Sequence, residues 1–252
     1  MKPTIGYVAL CVMLAGCSTG NITIQQPFSP SNGPSLISAG VYEGAFSTGG
    51  MATLLMRYDG TAILFHSAAK GTGVPVQGVV VVVSGSQSAA GVYYSGRAFD
   101  FTLDPVGVLP VTLRVDFSQA PAISGTVQHD ADITIMFNAQ ANQMLGQTPA
   151  LSTIAGLYSG RASSLGGSAS GQISVTANGY LAGTTQAGCV FKGTVAPHAG
   201  LNAYDVIVTF GPSPCLLPMD TVSGNAVLNE GRLLVALPKI DGSDVFVFDG
   251  KN

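Results

Sequence analysis

Ala39-Gly40-Val41-Tyr42-Glu43-Gly44-Ala45 returns 116 residues later as Ala155-Gly156-Leu157-Tyr158-Ser159-Gly160-Arg161. Two further landmarks follow in the same order. Gly49-Gly50 comes after the first copy and Gly166-Gly167 after the second, at nearly the same offset. Leu54-Leu55-Met56-Arg57-Tyr58-Asp59-Gly60 then parallels Ile173-Ser174-Val175-Thr176-Ala177-Asn178-Gly179. In each, Asp-Gly or Asn-Gly closes a strand-like run. That is the strongest short-range hairpin signal, because these residues accept the positive φ of a tight turn. Three landmarks in one order point to an internal duplication, although the later segments align poorly.

Working outward, eight strand-like segments can be read in each copy. The first copy offers 40–46, 52–58, 62–66, 76–83, 91–101, 111–117, 123–128 and 133–137. The second offers 156–162, 171–177, 180–185, 189–195, 204–210, 221–228, 232–237 and 245–248. Short strands with short connections predict an all-β chain built as two tandem, duplicated, antiparallel up-and-down barrels of about eight strands each. One larger β-sandwich or barrel is the alternative. Tyr204, Val206, Val208 and Phe210 alternate onto one face, with Asp205 and Thr209 on the other. Gly193 and Gly224 suit crowded bends inside strands. The matched Tyr42 and Tyr158 are expected as plugs near the start of each barrel, their hydroxyls reaching a backbone group at the rim.

Val79-Val80-Val81-Val82-Val83 breaks the alternation and predicts a strand buried on both faces. The simpler expectation is a central strand whose outer side is covered by loops of its own domain. The competing one is a contact with the second copy or a partner subunit.

Composition agrees with strands. Charged residues make up 9% of the 252, against about 25% in typical soluble domains. Glu occurs only at positions 43 and 230, and no 3.6-residue apolar rhythm runs long enough for amphipathic helices. The net charge of −3, without a Lys/Arg run, lacks the electrostatic footprint of a nucleic-acid binder.

The start of the chain supplies a location. Lys2 precedes the apolar run Ile5-Gly6-Tyr7-Val8-Ala9-Leu10-Cys11-Val12-Met13-Leu14, which has the form of a signal-peptide core and is short of the roughly 20 residues a membrane span needs. Leu14-Ala15-Gly16-Cys17 closes it and resembles the lipobox of bacterial lipoproteins. The resemblance implies that Cys17 is lipidated and becomes the first mature residue; an ordinary signal peptide with Cys17 incidental is the alternative. Ser18 after the cysteine is similar to the pattern of outer-membrane sorting, so the expected location is the bacterial cell envelope, lipid-anchored at the outer membrane.

The expected organisation is a signal peptide at 1–16, a tether at 17–38, a first β-domain at 39–138, a linker at 139–153 and a second β-domain at 154–252. Gln25-Gln26-Pro27, Ser29-Pro30-Ser31-Asn32 and Gly33-Pro34 make the tether a poor candidate for packed structure. The linker is expected to hold one helical turn around Met144-Leu145. In the oxidising compartment that a lipobox implies, Cys189 and Cys215 form an even pair and are expected to be disulfide-bonded. Metal binding by these cysteines is the competing reading, but His66, His129 and His198 stand singly, in no ligand spacing.

Catalytic signatures are sparse. Apart from Gly16-Cys17-Ser18-Thr19-Gly20, which overlaps the lipobox, no Gly-x-Ser-x-Gly elbow occurs, and Ser84-Gly85-Ser86 reads as a polar turn. His129-Asp130-Ala131-Asp132 and Asp241-Gly242-Ser243-Asp244 read as solvated hairpin tips rather than calcium loops, because no terminal Glu follows. Gly71-Thr72-Gly73 lacks the Lys-Ser/Thr of a phosphate loop. Tyr93 and Tyr94, as neighbours on a strand, face opposite sides. The hairpin from Ser170 to Thr184 is loosely similar to the opening hairpin of avidin- and lipocalin-like barrels, which implies a small-ligand barrel; the tryptophans that close avidin pockets are absent. The sequence therefore predicts a non-catalytic binding or interaction module of the envelope, with no cofactor or metal and with the membrane reached through the lipid on Cys17. A structural or assembly role without a small ligand is the alternative.

Overall fold

The computed structural model describes residues 38–67, 76–130, 132–144 and 146–252. Cys17, the tether up to residue 37 and Gly71-Thr72-Gly73 lie outside the described residues.

Sixteen strands form two closed antiparallel barrels of eight. The first contains β1 (Gly40–Phe46), β2 (Met51–Met56), β3 (Ala62–Ser67), β4 (Val76–Gln87), β5 (Tyr93–Leu103), β6 (Val106–Asp116), β7 (Ala122–Gln128) and β8 (Thr134–Ala141). After a single helical turn, α1 (Leu151–Ile154), the second contains β9 (Gly156–Ser164), β10 (Gly167–Val175), β11 (Tyr180–Thr185), β12 (Val190–Pro197), β13 (Tyr204–Phe210), β14 (Thr221–Asn229), β15 (Arg232–Pro238) and β16 (Val245–Lys251). Neighbouring strands pair in sequence order, and β8 returns to β1 as β16 returns to β9. Closure leaves neither sheet an edge along its length, which removes the hazard of unpaired backbone groups.

The duplication reaches the turns. Asp59-Gly60 joins β2 to β3 and Asn178-Gly179 joins β10 to β11, and both glycines have φ of +80°. An L-residue with a side chain is strained there, so the same dipeptide chemistry sets the same hairpin twice. Tyr42 donates to the Ser38 carbonyl at 2.9 Å, and Tyr158 donates to that of Ile154, also at 2.9 Å. Both rings are buried, and burial pushes the Tyr42 phenol up to about 12. The rim plugs expected from the repeat are thus present in both copies.

Period-two alternation fills each interior. Tyr204, Val206, Val208 and Phe210 all point into the second barrel, as the sequence predicts. The valine run is the correction. Val80 and Val82 face the interior of the first barrel, while Val79 and Val81 face outward. What covers them is not a loop of their own domain. With Ile63, Phe65 and Phe101 they pack on Leu234, Ala236, Val245 and Val247, the outer face of β15 and β16. Each buried valine contributes roughly 1.5–3 kcal/mol, so this contact is a second core rather than a touching of surfaces. The run ends at a bulge between Val82 and Ser84, after which β4 returns to alternation.

A second apolar contact joins Val41 and Leu55 to Leu201, Ala203 and Val227. Polar groups complete the seam. Asp249 accepts two hydrogen bonds from Arg232, at 2.8 and 2.7 Å, and one from the Val76 amide at 2.8 Å. Arg57 donates to Asn225 at 3.2 Å. Leu145, part of the helical turn expected at Met144-Leu145, lies outside the described residues; a helical turn lies at Leu151–Ile154, where buried Ile154 anchors it to the second barrel's core, and β8 runs on to Ala141.

Candidate functional site

The β1–β2, β5–β6 and β7–β8 turns lie at one end of the first barrel, and there its interior opens into a cup of about 520 Å³. Phe46, Val80, Val127 and Ile135 form apolar wall, Thr48-Gly49-Gly50 form a lip, and Ser67 and Gln77 stand beside it. Strand alternation delivers three polar groups. On β5 the inward row runs Tyr94, Gly96, Ala98 and then Asp100; on β3 it runs Ala62, Leu64 and then His66; on β7 it runs Ile123, Gly125 and Val127, and His129 follows in the same phase. Each strand begins its inward face apolar and turns polar at the same end.

These groups converge. Asp100 is 4% exposed. His66 Nε2 lies 3.0 Å from its Oδ1 and His129 Nε2 lies 3.5 Å from its Oδ2. A carboxylate only accepts, so the shorter bond fixes the proton of His66 on Nε2. His129 Nε2 is buried and makes no hydrogen bond, which leaves one polar atom of the wall open to a partner. Gly78, the register partner of His66 on β4, makes room for the ring, since a Cβ there would sit 2.4 Å from its Cε1 and Nε2. Among the described residues no Ser, Thr or Cys side chain hydrogen-bonds either imidazole, and no three His, Cys, Asp or Glu groups are placed to hold a metal ion. Such a cup can enclose one small molecule, offering it an apolar wall and a hydrogen-bonding one.

The second barrel provides an internal comparison. Its corresponding end is filled. Phe191, Phe210 and Phe246 pack together there: Phe246 meets Phe191 and Phe210 edge to face, with centroids 5.6 and 4.9 Å apart, and Phe191 lies tilted against Phe210 at 5.2 Å. Phe210 follows buried Tyr204 by six residues as Asp100 follows buried Tyr94, and Thr185 follows Gly179 by six as His66 follows Gly60. Cys189 and Cys215 are joined as expected, and the loop they hold places Leu217 on the same core. One copy closes its mouth with aromatic rings and a disulfide. The other keeps it open and polar.

Of the remaining candidates, His198 lies on the outside, 2.9 Å from Asp205, which also accepts from Asn225 at 2.9 Å. Burial alone would raise the Asp205 carboxyl. The hydrogen bond and charge of His198, the Arg57 charge and Asn225 outweigh it and hold the group below its ordinary value. Asp130 accepts from the Asp132 and Ile133 amides, and Asp241 from the amide and hydroxyl of Ser243, so both are self-contained hairpin tips. Tyr93 is exposed and Tyr94 buried, the latter donating to the Gly60 carbonyl at 2.8 Å. Sequence reasoning missed Asp100, although a carboxylate in phase with Tyr94 and Ala98 is a legible signal.

The chain matches no protein-family model and no curated protein.

Proposed function

We propose that the chain is a lipid-anchored, non-catalytic binding module of the bacterial cell envelope that receives a small ligand in the mouth of its first barrel. One observation carries this reading: of two duplicated barrels, one fills its mouth with Phe191, Phe210 and Phe246, while the other opens a cup of about 520 Å³ around a buried Asp100. A buried carboxylate between two imidazoles is unfavourable for stability unless its partners satisfy it, so its retention in an otherwise apolar barrel favours recognition over packing. Catalysis is disfavoured because, among the described residues, no nucleophile engages either ring. The anchor rests on Leu14-Ala15-Gly16-Cys17 and the tether that follows. The alternative, a structural or assembly lipoprotein, draws support from the second barrel, whose mouth is packed with Phe191, Phe210 and Phe246.

Native mass spectrometry of the protein released gently from membranes tests the ligand. A retained small molecule that disappears in Asp100→Asn and in His129→Phe is the expected result; a bare chain under the same conditions argues for the structural alternative. Fractionation of Cys17→Ser tests the anchor. The variant should move to the soluble fraction, and continued membrane attachment would overturn this part of the reading.

A further inference from the structure

On the outer wall of the first barrel, away from its mouth, the strand registers set two polar rows side by side. Ser86, Ser95, Arg114 and Thr126 are consecutive register partners across β4, β5, β6 and β7. Two residues along, Tyr93, Asp116, Ser124 and Asn138 are partners across β5, β6, β7 and β8. At about 4.8 Å per strand the two rows make a grid roughly 15 Å long. The wall under it is thin. Gly85 and Gly125 face inward, where a Cβ would meet the Tyr94 hydroxyl at 2.1 Å and the Phe137 ring at 2.2 Å, so these aromatic side chains rest directly on backbone. Outside, a groove of about 580 Å³ runs along both rows.

The lining has a specific chemistry. Arg114 sits at the centre with no ion pair or hydrogen bond to the described residues, flanked by hydroxyls that donate and accept but do not neutralise it. Tyr93, 59% exposed, offers a flat apolar ring with a polar tip at one end. Asp116 and Asn138 add acceptors, Asp116 with one oxygen already taking the Ser118 amide at 2.8 Å. A phosphate dianion would meet one cation and a neighbouring carboxylate, a poor balance. A ligand with one carboxylate, many hydroxyls and a C–H face to lay on an aromatic ring matches these groups, and exposed Met136, the register partner of Thr126, adds an apolar contact at the end of the first row.

We propose that this groove binds an acidic saccharide, with Arg114 taking the carboxylate in a bidentate pair, Asp116 and Asn138 taking hydroxyls, and Tyr93 lying under a sugar ring. The proposal does not depend on the cup in the barrel mouth, and either can fail alone.

Titration calorimetry on the purified full chain tests it, using trigalacturonate and 3′-sialyllactose, each against its methyl ester. The expected result is that at least one acid binds about tenfold or more tighter than its ester, a gap of about 1.4 kcal/mol. Arg114→Ala should erase that gap, Arg114→Lys should keep part of it, and Tyr93→Ala should weaken acid and ester alike. Asp100→Asn should leave the gap unchanged, which separates this site from the mouth. Arg114 is exposed, so its variants keep the fold. Equal binding of acid and ester, no binding of either acid, or an unchanged gap in Arg114→Ala would each overturn the proposal.

Discussion

At Gly78 a single methyl group would meet the His66 ring at 2.4 Å and the Phe101 carbonyl oxygen at 2.5 Å. Backbone cannot yield as a flexible side chain does, so Gly78→Ala should destabilise the protein by about 1–3 kcal/mol in urea titration and weaken any ligand held in the cup. Asp100→Ala removes the acceptor between two imidazoles and strands His66 with a half-buried donor. A loss of roughly 1–3 kcal/mol is expected, and an unchanged midpoint would mean that the rings find other partners. Asp205 gives the pH dependence. Its folded pKa is depressed, so its contribution is present above the ordinary value of 3.8 and is lost as pH falls below that through the lowered folded value. Melting temperatures measured from pH 2 to 7 should fall less steeply on the acid side in Asp205→Asn than in the wild type. At this scale the sequence is half legible. The phase of Asp100 can be counted from Tyr94, but its meeting with His66 and His129 depends on how three separate strands are staggered around a closed barrel, which no local pattern states.

Among the elements, the sequence predicts β4 as doubly buried, and of its two expected covers the structure shows the competing one, the second copy, instead of loops of the same domain. Five valines in a row say that neither face meets water; they carry no information on which surface arrives. That surface is β15 and β16, far along the chain. Val81→Ala, on the outward face, should cost about 2 kcal/mol, and so should Val80→Ala on the inward face, because both lose packed contacts. If only the inward change registers in denaturant titration, the seam between barrels is not a core. The disulfide is the other element with a measurable role. Cys189 and Cys215 are 26 residues apart, and Cys189→Ala with Cys215→Ala should lower stability by about 2–4 kcal/mol. The pairing was legible from compartment and parity. Its place over a plug of three phenylalanines was not, since those come from β12, β13 and β16 and meet only when the barrel closes.

For the whole molecule, the repeat of Gly-x-Tyr and Asp/Asn-Gly was enough to give two barrels, because hairpins with short turns leave an antiparallel meander little choice but to curl on itself. The shared seam adds that the barrels are one thermodynamic body. Calorimetry of the full chain should give a single transition, and Val81→Asp, which buries a charge between the barrels, should split or broadly lower it. Two well-separated transitions in the wild type would refute this coupling.

The seam also joins unlike faces: the third to fifth strands of one copy meet the seventh and eighth of the other. Such a head-to-tail contact between equivalent units has no symmetry to close it, and in principle it propagates into a filament. Here polar side chains interrupt both free ends. The second barrel presents Thr184, Lys192 and Thr209 beside exposed Val190 where the first has its apolar strip, and the first presents Ser124, Thr126 and Thr134 beside exposed Met136 where the second has its own. The polar wall that carries the groove therefore also works against propagation, and replacing its polar residues at both ends by apolar ones should drive the chain into fibres, which light scattering would detect.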